Sequence, residues 1–410
     1  NSEPDNVFNG VWITGMVLGE NYGMDKHEFI NKLDSLGIPV RPFFYPLSSI
    51  PAYNLEKEYI KKNSNSYKIS NRGVNLPGAA NLTDDQLKEI CDNIKKSIRE
   101  MINIPNYSVN TKDFNHYLHG DIVKSFEDSF CDYVGAKYAC SVNSATNAIF
   151  LALLNKNRHV VVPSMIPPVV CNAILTSGNK LDFDDNTDWV GDSYILHEFE
   201  DYKIVDSAQK VDEGQFIKEA NDGDLMIFSF YPTKPVGSSD GGIIVSNDFE
   251  KIRWFKEATM NGMTYAHNNW DRTIKFPGYK MYMNSIQCYI ANDNLKMLDF
   301  KKMKLNGVRK KYNDYLNYSN TSDHLYRIEV DDRKDFIKKM REKNIVCGVH
   351  YDALHEVDTY RKLTSRPYKV TDEICKNSSI KSKRTVSLPF HEELTEKDVD
   401  TVIKYVKRYG

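Results

Sequence analysis

Apolar positions along the chain follow two rhythms. From about residue 120 to 300 they come as short unbroken runs bounded by turn residues: "KYACSV", "HVVVP", "KIVD", "LMIFSF" and "GIIVS". Runs of this length suit strands buried on both faces, the kind found in a largely parallel sheet, so an α/β core is predicted here. Between the runs the period lengthens. "FEDSFCDYVG" puts Phe126, Phe130, Tyr133 and Val134 on one helix face, with Gly135 as its stop. Near both ends of the chain the period is helical. Leu87, Ile90, Cys91 and Ile94 form one i, i+3, i+4, i+7 stripe, and Val399, Val402, Ile403 and Val406 form another, each predicted to be buried.

The ends also repeat one another. "HEFINKLDSLGIPVRPFFYPLSSIPAY" (from His27) aligns without a gap to "KDFIKKMREKNIVCGVHYDALHEVDTY" (from Lys334). Phe29 meets Phe336, Leu47 meets Leu354, and Tyr53 meets Tyr360. After a small insertion, "NLPGAANLTDDQLKEICDNI" aligns to "SLPFHEELTEKDVDTVIKYV". Thr83 with Gln86, and Thr395 with Asp398, have the spacing of a capping box at a helix start. Pattern, spacing and punctuation agree together, which favours shared ancestry over chance. The chain therefore divides into a small domain (1–104), an α/β large domain (105–300) and a second small domain (301–410), with the polar stretch "NIPNYSVNTKDFNHYLHGD" as connector.

Composition narrows the class. The 410 residues are 41% hydrophobic and 27% charged, ordinary for a globular protein with room for a large core. A net charge of -2 gives no bulk attraction for nucleic acid or an anionic membrane. There is no apolar run long enough for a membrane span and no secretory signal. Seven scattered cysteines without a CxxC pair point to a reducing cytoplasm and argue against a disulfide frame or a zinc site.

Three strand ends carry candidate chemistry, at the place where open α/β sheets bind ligands. "SVNSATNAIFLALL" passes from strand to helix at Asn143–Thr146, where free N–H groups and the helix dipole favour an anion. "KIVDSAQK" ends a buried strand with Asp206, a carboxylate that needs a cationic or donating partner. "FSFYPTKPVGSSDGG" ends a strand at Ser229, turns, and presents Lys234 ahead of Gly241 and Gly242. One ligand uses an anion cradle, a buried carboxylate and a reactive lysine together: pyridoxal 5′-phosphate. The cradle takes the phosphate, the carboxylate keeps the pyridine nitrogen protonated, and the lysine forms the Schiff base and carries the proton. Burial against Phe230 and Tyr231 is expected to pull the lysine below its usual pKa.

In these motifs the chain resembles the DegT/StrS-type aminotransferases that act on nucleotide-linked keto sugars. The stretch from about Gly120 to Gly410 resembles one nearly complete member. Residues 1–100, with "VRPFFYP" and "VNLPGAANLT", resemble only the C-terminal small domain of another, of the GDP-perosamine synthase type. The resemblance implies the aspartate-aminotransferase-like fold, fold type I, with a mostly parallel sheet and α+β small domains. It makes Ser144-Ala145-Thr146 the phosphate turn, Asp206 the partner of the pyridine nitrogen, Gln209 its neighbour beside the ring, and Ser229 with Lys234 the Schiff-base segment. "VHYDALH" matches the substrate-facing segment, which implies contacts from His350 and Tyr351; Tyr231 and Lys280 are further substrate-side candidates. Pro167 stands where the family has an aromatic stacked on the ring. Tyr282 stands where the family lends an asparagine to the neighbouring subunit's phosphate, which implies a homodimer with Tyr279, Lys280 or Tyr282 reaching the partner. The stretch between "SYILHEF" and "KIVDSAQ" leaves little room for the usual helix.

Two functions follow. The first is transfer of an amino group, from glutamate, to a nucleotide-linked keto-deoxy sugar. The alternative is a degenerate domain that supports an aminotransferase core encoded upstream of Asn1, the core that the first small domain lacks here. A related dehydratase branch replaces the lysine by histidine, so Lys234 counts against it.

Overall fold

The computed structural model describes residues 13–19, 26–50, 62–78, 81–102, 118–264 and 272–410, with backbone alone for 95–102. Tyr53 and most of the polar connector lie outside the described residues. The chain clusters into two compact units, Asn1–Ser108 and Val109–Gly410.

The first unit carries an antiparallel sheet of β1 (Thr14–Val17), β2 (Arg41–Pro42) and β3 (Gly73–Leu76), in the order β1-β3-β2. Helices Lys26–Ser35, Ser64–Arg72 and Asp84–Ile102 accompany it. Phe29 and Leu33, four apart on the first helix, meet Ile38, Val40 and Val74 in a small core. Such spacing puts both side chains on one helical face.

The second unit begins with the helix Asp121–Val134, which stops at Gly135 in the left-handed conformation (φ 79°), as its sequence predicts. The strands are β4 (Tyr138–Val142), β5 (His159–Pro163), β6 (Lys180–Asp184), β7 (Tyr194–Glu198), β8 (Lys203–Asp206), β9 (Leu225–Ser229) and β10 (Gly242–Ser246). Five of them form one sheet in the order β4-β10-β9-β8-β7, and β5 pairs with β6 separately. Only β8/β9 and β5/β6 pair in parallel, so the expected α/β fold is present with a mixed rather than mostly parallel sheet. The connections explain this. Parallel neighbours need a crossover of a dozen or more residues, usually a helix. The chain has no helix between β9 and β10, only the turn that carries Lys234, and β7 returns to β8 through Phe199–Tyr202. The helix that the sequence left no room for is absent.

Two apolar layers sandwich the sheet. Phe126, Phe130, Phe228 and Phe230 pack edge to face on one side. On the other, Ile149, Val162, Phe183 and Ile204 join a second cluster. A long helix, Leu298–Leu316, then leads to β11 (Tyr326–Glu329), helix Arg333–Arg341, β12 (Thr385–Leu388) and helix Glu396–Tyr409.

The repeat read from the sequence is a repeat of structure. In the first unit Thr14 pairs with Leu76 and Val17 with Gly73; in the second, Tyr326 pairs with Leu388 and Glu329 with Thr385. The bond from Leu18 N–H to Arg72 O has its counterpart in Val330 N–H to Arg384 O. The one-turn helix Leu47–Ser49 has its counterpart in Leu354–Glu356.

Candidate active site

Asp206 closes β8, whose parallel neighbour β9 ends two residues beyond the Asp206–Ile227 pair, at Ser229. The pattern that buries Ile204 and Val205 carries Asp206 inward as well, where it is 3% exposed. Burial raises its pKa. The Ala208 N–H donates to Oδ1 at 2.9 Å and the Tyr194 hydroxyl to Oδ2 at 2.9 Å, and both oppose the rise, as does Lys234. A carboxylate so placed still has lone pairs for a third donor.

Lys234 follows β9 on the turn, its N–H bonded to Tyr231 O. Burial pulls its ammonium down to about 8, with Asp206 pulling the other way. The two expected neighbours turn elsewhere. Phe230 continues the alternation of the strand onto the Phe126/Phe130 face, and Tyr231 is 55% exposed on the turn. Lys234 acts electrostatically on His324 and His350, and helps to hold both neutral. Burial is the larger cause for each histidine, and His350 falls to about 4.

His350 shares a hydrogen bond with Ser387 Oγ through Nδ1 at 2.8 Å, and its ring meets Tyr351 edge to face. The Tyr351 hydroxyl accepts from Gln209 Nε2 at 2.9 Å, and Gln209 Oε1 accepts from the Gly191 N–H at 2.6 Å. Asp206, Gln209, Lys234, His350 and Tyr351 are thus one neighbourhood. Burial holds the Tyr351 phenol well above its usual range, with Asp206 adding to the effect.

At the phosphate turn, Ser144 caps the helix Ala145–Leu153 by accepting from the Asn147 N–H at 3.2 Å. Among the described residues the Ala145 and Thr146 N–H groups meet no acceptor, as expected in a first helical turn. Gly242 pairs with Ser229 and passes so close that a Cβ would lie 2.6 Å from Ala145 N. Only glycine lets β10 join the cradle to the end of β9.

Three of the expected side chains make no recorded contact with the Lys234 side chain. Tyr231 is on the surface and Lys280 is exposed. Tyr282 bridges to Val142 and packs its ring against His119, beside Glu127, Ser141 and Lys256. Pro167 is the N-cap of the helix Pro168–Thr176.

Sequence reasoning missed Tyr194, Trp189, His324 and Arg327. Tyr194 lies directly opposite Asp206 across β7/β8, a contact legible only once the register is known. Trp189 stacks on Tyr351 with an interplanar angle of 8° and bonds Met165 O through Nε1. Arg327 faces Ser387 across β11/β12, away from the core that takes Tyr326 and Ile328. Alternation in "YRIE" was the available signal for it.

A lysine and a carboxylate at neighbouring strand ends, with a helix N-terminus beside them, define an α/β enzyme of the pyridoxal-phosphate type. The family model for the DegT/DnrJ/EryC1/StrS aminotransferases matches residues 2–95, 103–188 and 212–407, and the chain belongs to that family. It is 28% identical over 344 residues to UDP-4-amino-4,6-dideoxy-N-acetyl-beta-L-altrosamine transaminase of Campylobacter jejuni, covering 70% of this chain and 88% of that protein. To the spore coat polysaccharide biosynthesis protein SpsC of Bacillus subtilis it is 26% identical, covering 70% and 89%. A separate match, 38% identical over 94 residues, takes in 25% of the GDP-perosamine synthase of Vibrio cholerae and 23% of this chain. Among solved structures, PseC of Helicobacter pylori shares the fold with a TM-score of 0.59 at 20% identity, covering 72% of this chain and 93% of that one.

The cofactor that family membership gives the chain is pyridoxal 5′-phosphate. The residues present fit it. Asp206 is buried with acceptor capacity to spare, Lys234 carries an ammonium that burial disfavours, and Ala145 and Thr146 offer N–H groups at a helix start. Among the described residues no cluster could hold a metal ion, and no helix is long and apolar enough to cross a membrane.

Proposed function

We propose that the chain transfers an amino group from an amino acid, glutamate, to a nucleotide-linked keto-deoxy sugar, with Lys234 as the cofactor-anchoring and proton-carrying residue. The observation that carries this reading is the electrostatic coupling of Lys234 to buried Asp206 at neighbouring strand ends. When bound, pyridoxal phosphate supplies a carbonyl for the amine and a ring that accepts an electron pair. Asp206 would hold the proton on the pyridine nitrogen. The fall of Lys234 from 10.5 to about 8 leaves Nζ neutral about 300-fold more often at pH 7, so it is able to attack and to take up a proton. Ala145, Thr146 and Ser229 would hold the phosphate. His350, kept neutral, and Tyr351, kept protonated, offer hydrogen bonds rather than charge to a sugar. The nucleotide-sugar substrate is supported by the likeness to the Campylobacter transaminase, which is named for a UDP-linked amino sugar.

A homodimer is part of the proposal. Lys280 is exposed, and Tyr282 bridges to Val142 with its ring against His119, which leaves both placed to serve a neighbouring subunit. The seven free thiols fit a reducing cytoplasm. The degenerate-domain alternative finds less support, because the lysine, carboxylate and cradle are all present. Borohydride reduction of the cofactor-loaded protein followed by peptide mapping is the test. A label on Lys234, with visible absorbance bleached by glutamate before reduction, is the expected result. A label on another lysine overturns the assignment.

A further inference from the structure

The two small domains have the same fold and different surroundings. In the second unit, the tip of the domain is covered by the α/β core. Leu354 is 5% exposed, its N–H donates to Ser164 O at 2.9 Å, and Ala353 bridges to Met165. Its repeat counterpart Leu47 is 66% exposed, and the Leu47 N–H has no acceptor among the described residues. A second face differs in the same way. The stripe of helix Glu396–Tyr409 is covered by the long helix Leu298–Leu316, which brings Val308 and Tyr312 into its cluster, and Val399 is 2% exposed. The counterpart Leu87 is 43% exposed, and Cys91, counterpart of Ile403, is exposed too.

Both uncovered faces correspond to surfaces that the second unit seats against elements preceding its own small domain: the strand end at Ser164–Met165 and the helix Leu298–Leu316. We propose that the first unit docks, through Leu47 and the Leu87/Cys91 stripe, onto an α/β large domain of this same fold that has no small domain of its own. The tip and the stripe together select that occupant, since one needs a strand-end carbonyl with a leucine-sized hole and the other a long apolar-faced helix. A second copy of this chain does not qualify, because Ala353, Leu354 and His355 already fill the corresponding place on its core. The Vibrio cholerae match, confined to a quarter of that protein, concerns a relative in which the rest of the length is other sequence. The proposal concerns assembly and stands apart from the catalytic reading of Lys234.

The test uses the full chain in the cells that make it, with the photo-crosslinker p-benzoylphenylalanine placed at Leu47 in one variant and at Leu87 in another. After irradiation the crosslinked peptides are sequenced. The expected result is that Leu47 captures the residues after the second core strand of an aminotransferase large domain, and Leu87 captures a long helix of that same domain. Capture at Leu47 should be lost when Leu87→Asp is added. Circular dichroism and retention of cofactor by the second unit confirm that the variants fold. Crosslinks to a second copy of this chain, to a protein of another fold, or to nothing in folded variants overturn the proposal. So does capture of different proteins at the two positions.

Discussion

The first small domain and the last share strand register, helix order and a one-turn tip, yet the buried stripe predicted for both is realised fully only in the second. Val399, Val402, Ile403 and Val406 are all buried; in the first copy Ile94 is buried, Ile90 is partly buried, and Leu87 and Cys91 are exposed. The sequence periodicity is the same, so periodicity marks a face that can be buried. What it is buried against comes from elsewhere in the fold, here the helix Leu298–Leu316. The comparison separates what each copy owns from what it borrows: strands, caps and turns are owned, whereas the tip contacts and half of the stripe are borrowed.

The largest expected effect comes from Lys234, which influences His350 of the second copy. Lys234→Ala should leave the fold intact and reduce transamination to background, a loss of at least about 1,000-fold, because the covalent anchor and the proton carrier go together. Lys234→Arg should fail equally, since a guanidinium stays charged. Residual turnover above a few per cent in either variant would place the active lysine outside the second unit's core and break the comparison.

Next in size is the tip. Leu354→Asp puts a carboxylate where Leu354 is 5% exposed, and should cost more than about 3 kcal/mol in denaturant unfolding. Leu47→Asp at the matching place, 66% exposed, should change stability by no more than about 0.5 kcal/mol in the isolated chain. Equal costs at the two positions would show that the first tip is covered within the chain itself.

These contrasts also show what was legible in the sequence. The short apolar runs located β4, β5, β8, β9 and β10, because a doubly buried strand has no other pattern open to it. Gly135 and Thr395 marked helix ends through local geometry alone. Lys234, Asp206 and the Ser144 turn could be proposed because the order of motifs and their places at strand ends are written along the chain. Tyr194, Trp189 and Arg327 were not, because each reaches the site through cross-strand register or a packing contact that no local pattern records. The environment of Lys234 was misjudged for the same reason. Phe230 is its neighbour in sequence but faces the other side of the sheet, while His350 arrives from more than a hundred residues away.

A smaller effect follows from the pKa of Lys234 in the cofactor-free chain. Its folded value, about 8, lies below the unfolded 10.5. Between those limits the unfolded chain holds a proton that the folded chain lacks, so raising the pH favours the folded state. Wild-type stability should therefore rise between pH 8 and pH 10.5 relative to Lys234→Met, by about 2 kcal/mol once partial exposure is discounted. Below pH 8 the variant should be the more stable of the two by the same amount. Paired urea melts at pH 7 and pH 10.5 check this, and parallel curves would mean that the ammonium is solvated. The slope should belong to the second unit alone.

The smallest effect is the one in which the two copies should agree. Thr83 N–H donates to Gln86 Oε1 at 3.0 Å and Gln86 N–H to Thr83 Oγ1 at 3.3 Å; Thr395 N–H donates to Asp398 Oδ2 at 3.0 Å and Asp398 N–H to Thr395 Oγ1 at 3.2 Å. Each box satisfies two N–H groups that the first turn of a helix leaves open, and both are exposed, so neither depends on what covers the domain. Thr83→Ala and Thr395→Ala should each destabilise their own helix by about 1 kcal/mol, seen as roughly 5-fold faster amide exchange in peptides from the first turn. The reciprocal residues should differ. Asp398 is an anion at a helix N-terminus and Gln86 is neutral, so Asp398→Ala should cost about 0.3–1 kcal/mol more than Gln86→Ala at low salt, a gap that closes as salt is added. A large difference between the two threonine variants would mean that the caps are not owned locally. The division between what a copy carries with it and what it takes from its surroundings would then have to be drawn one turn further into the helix.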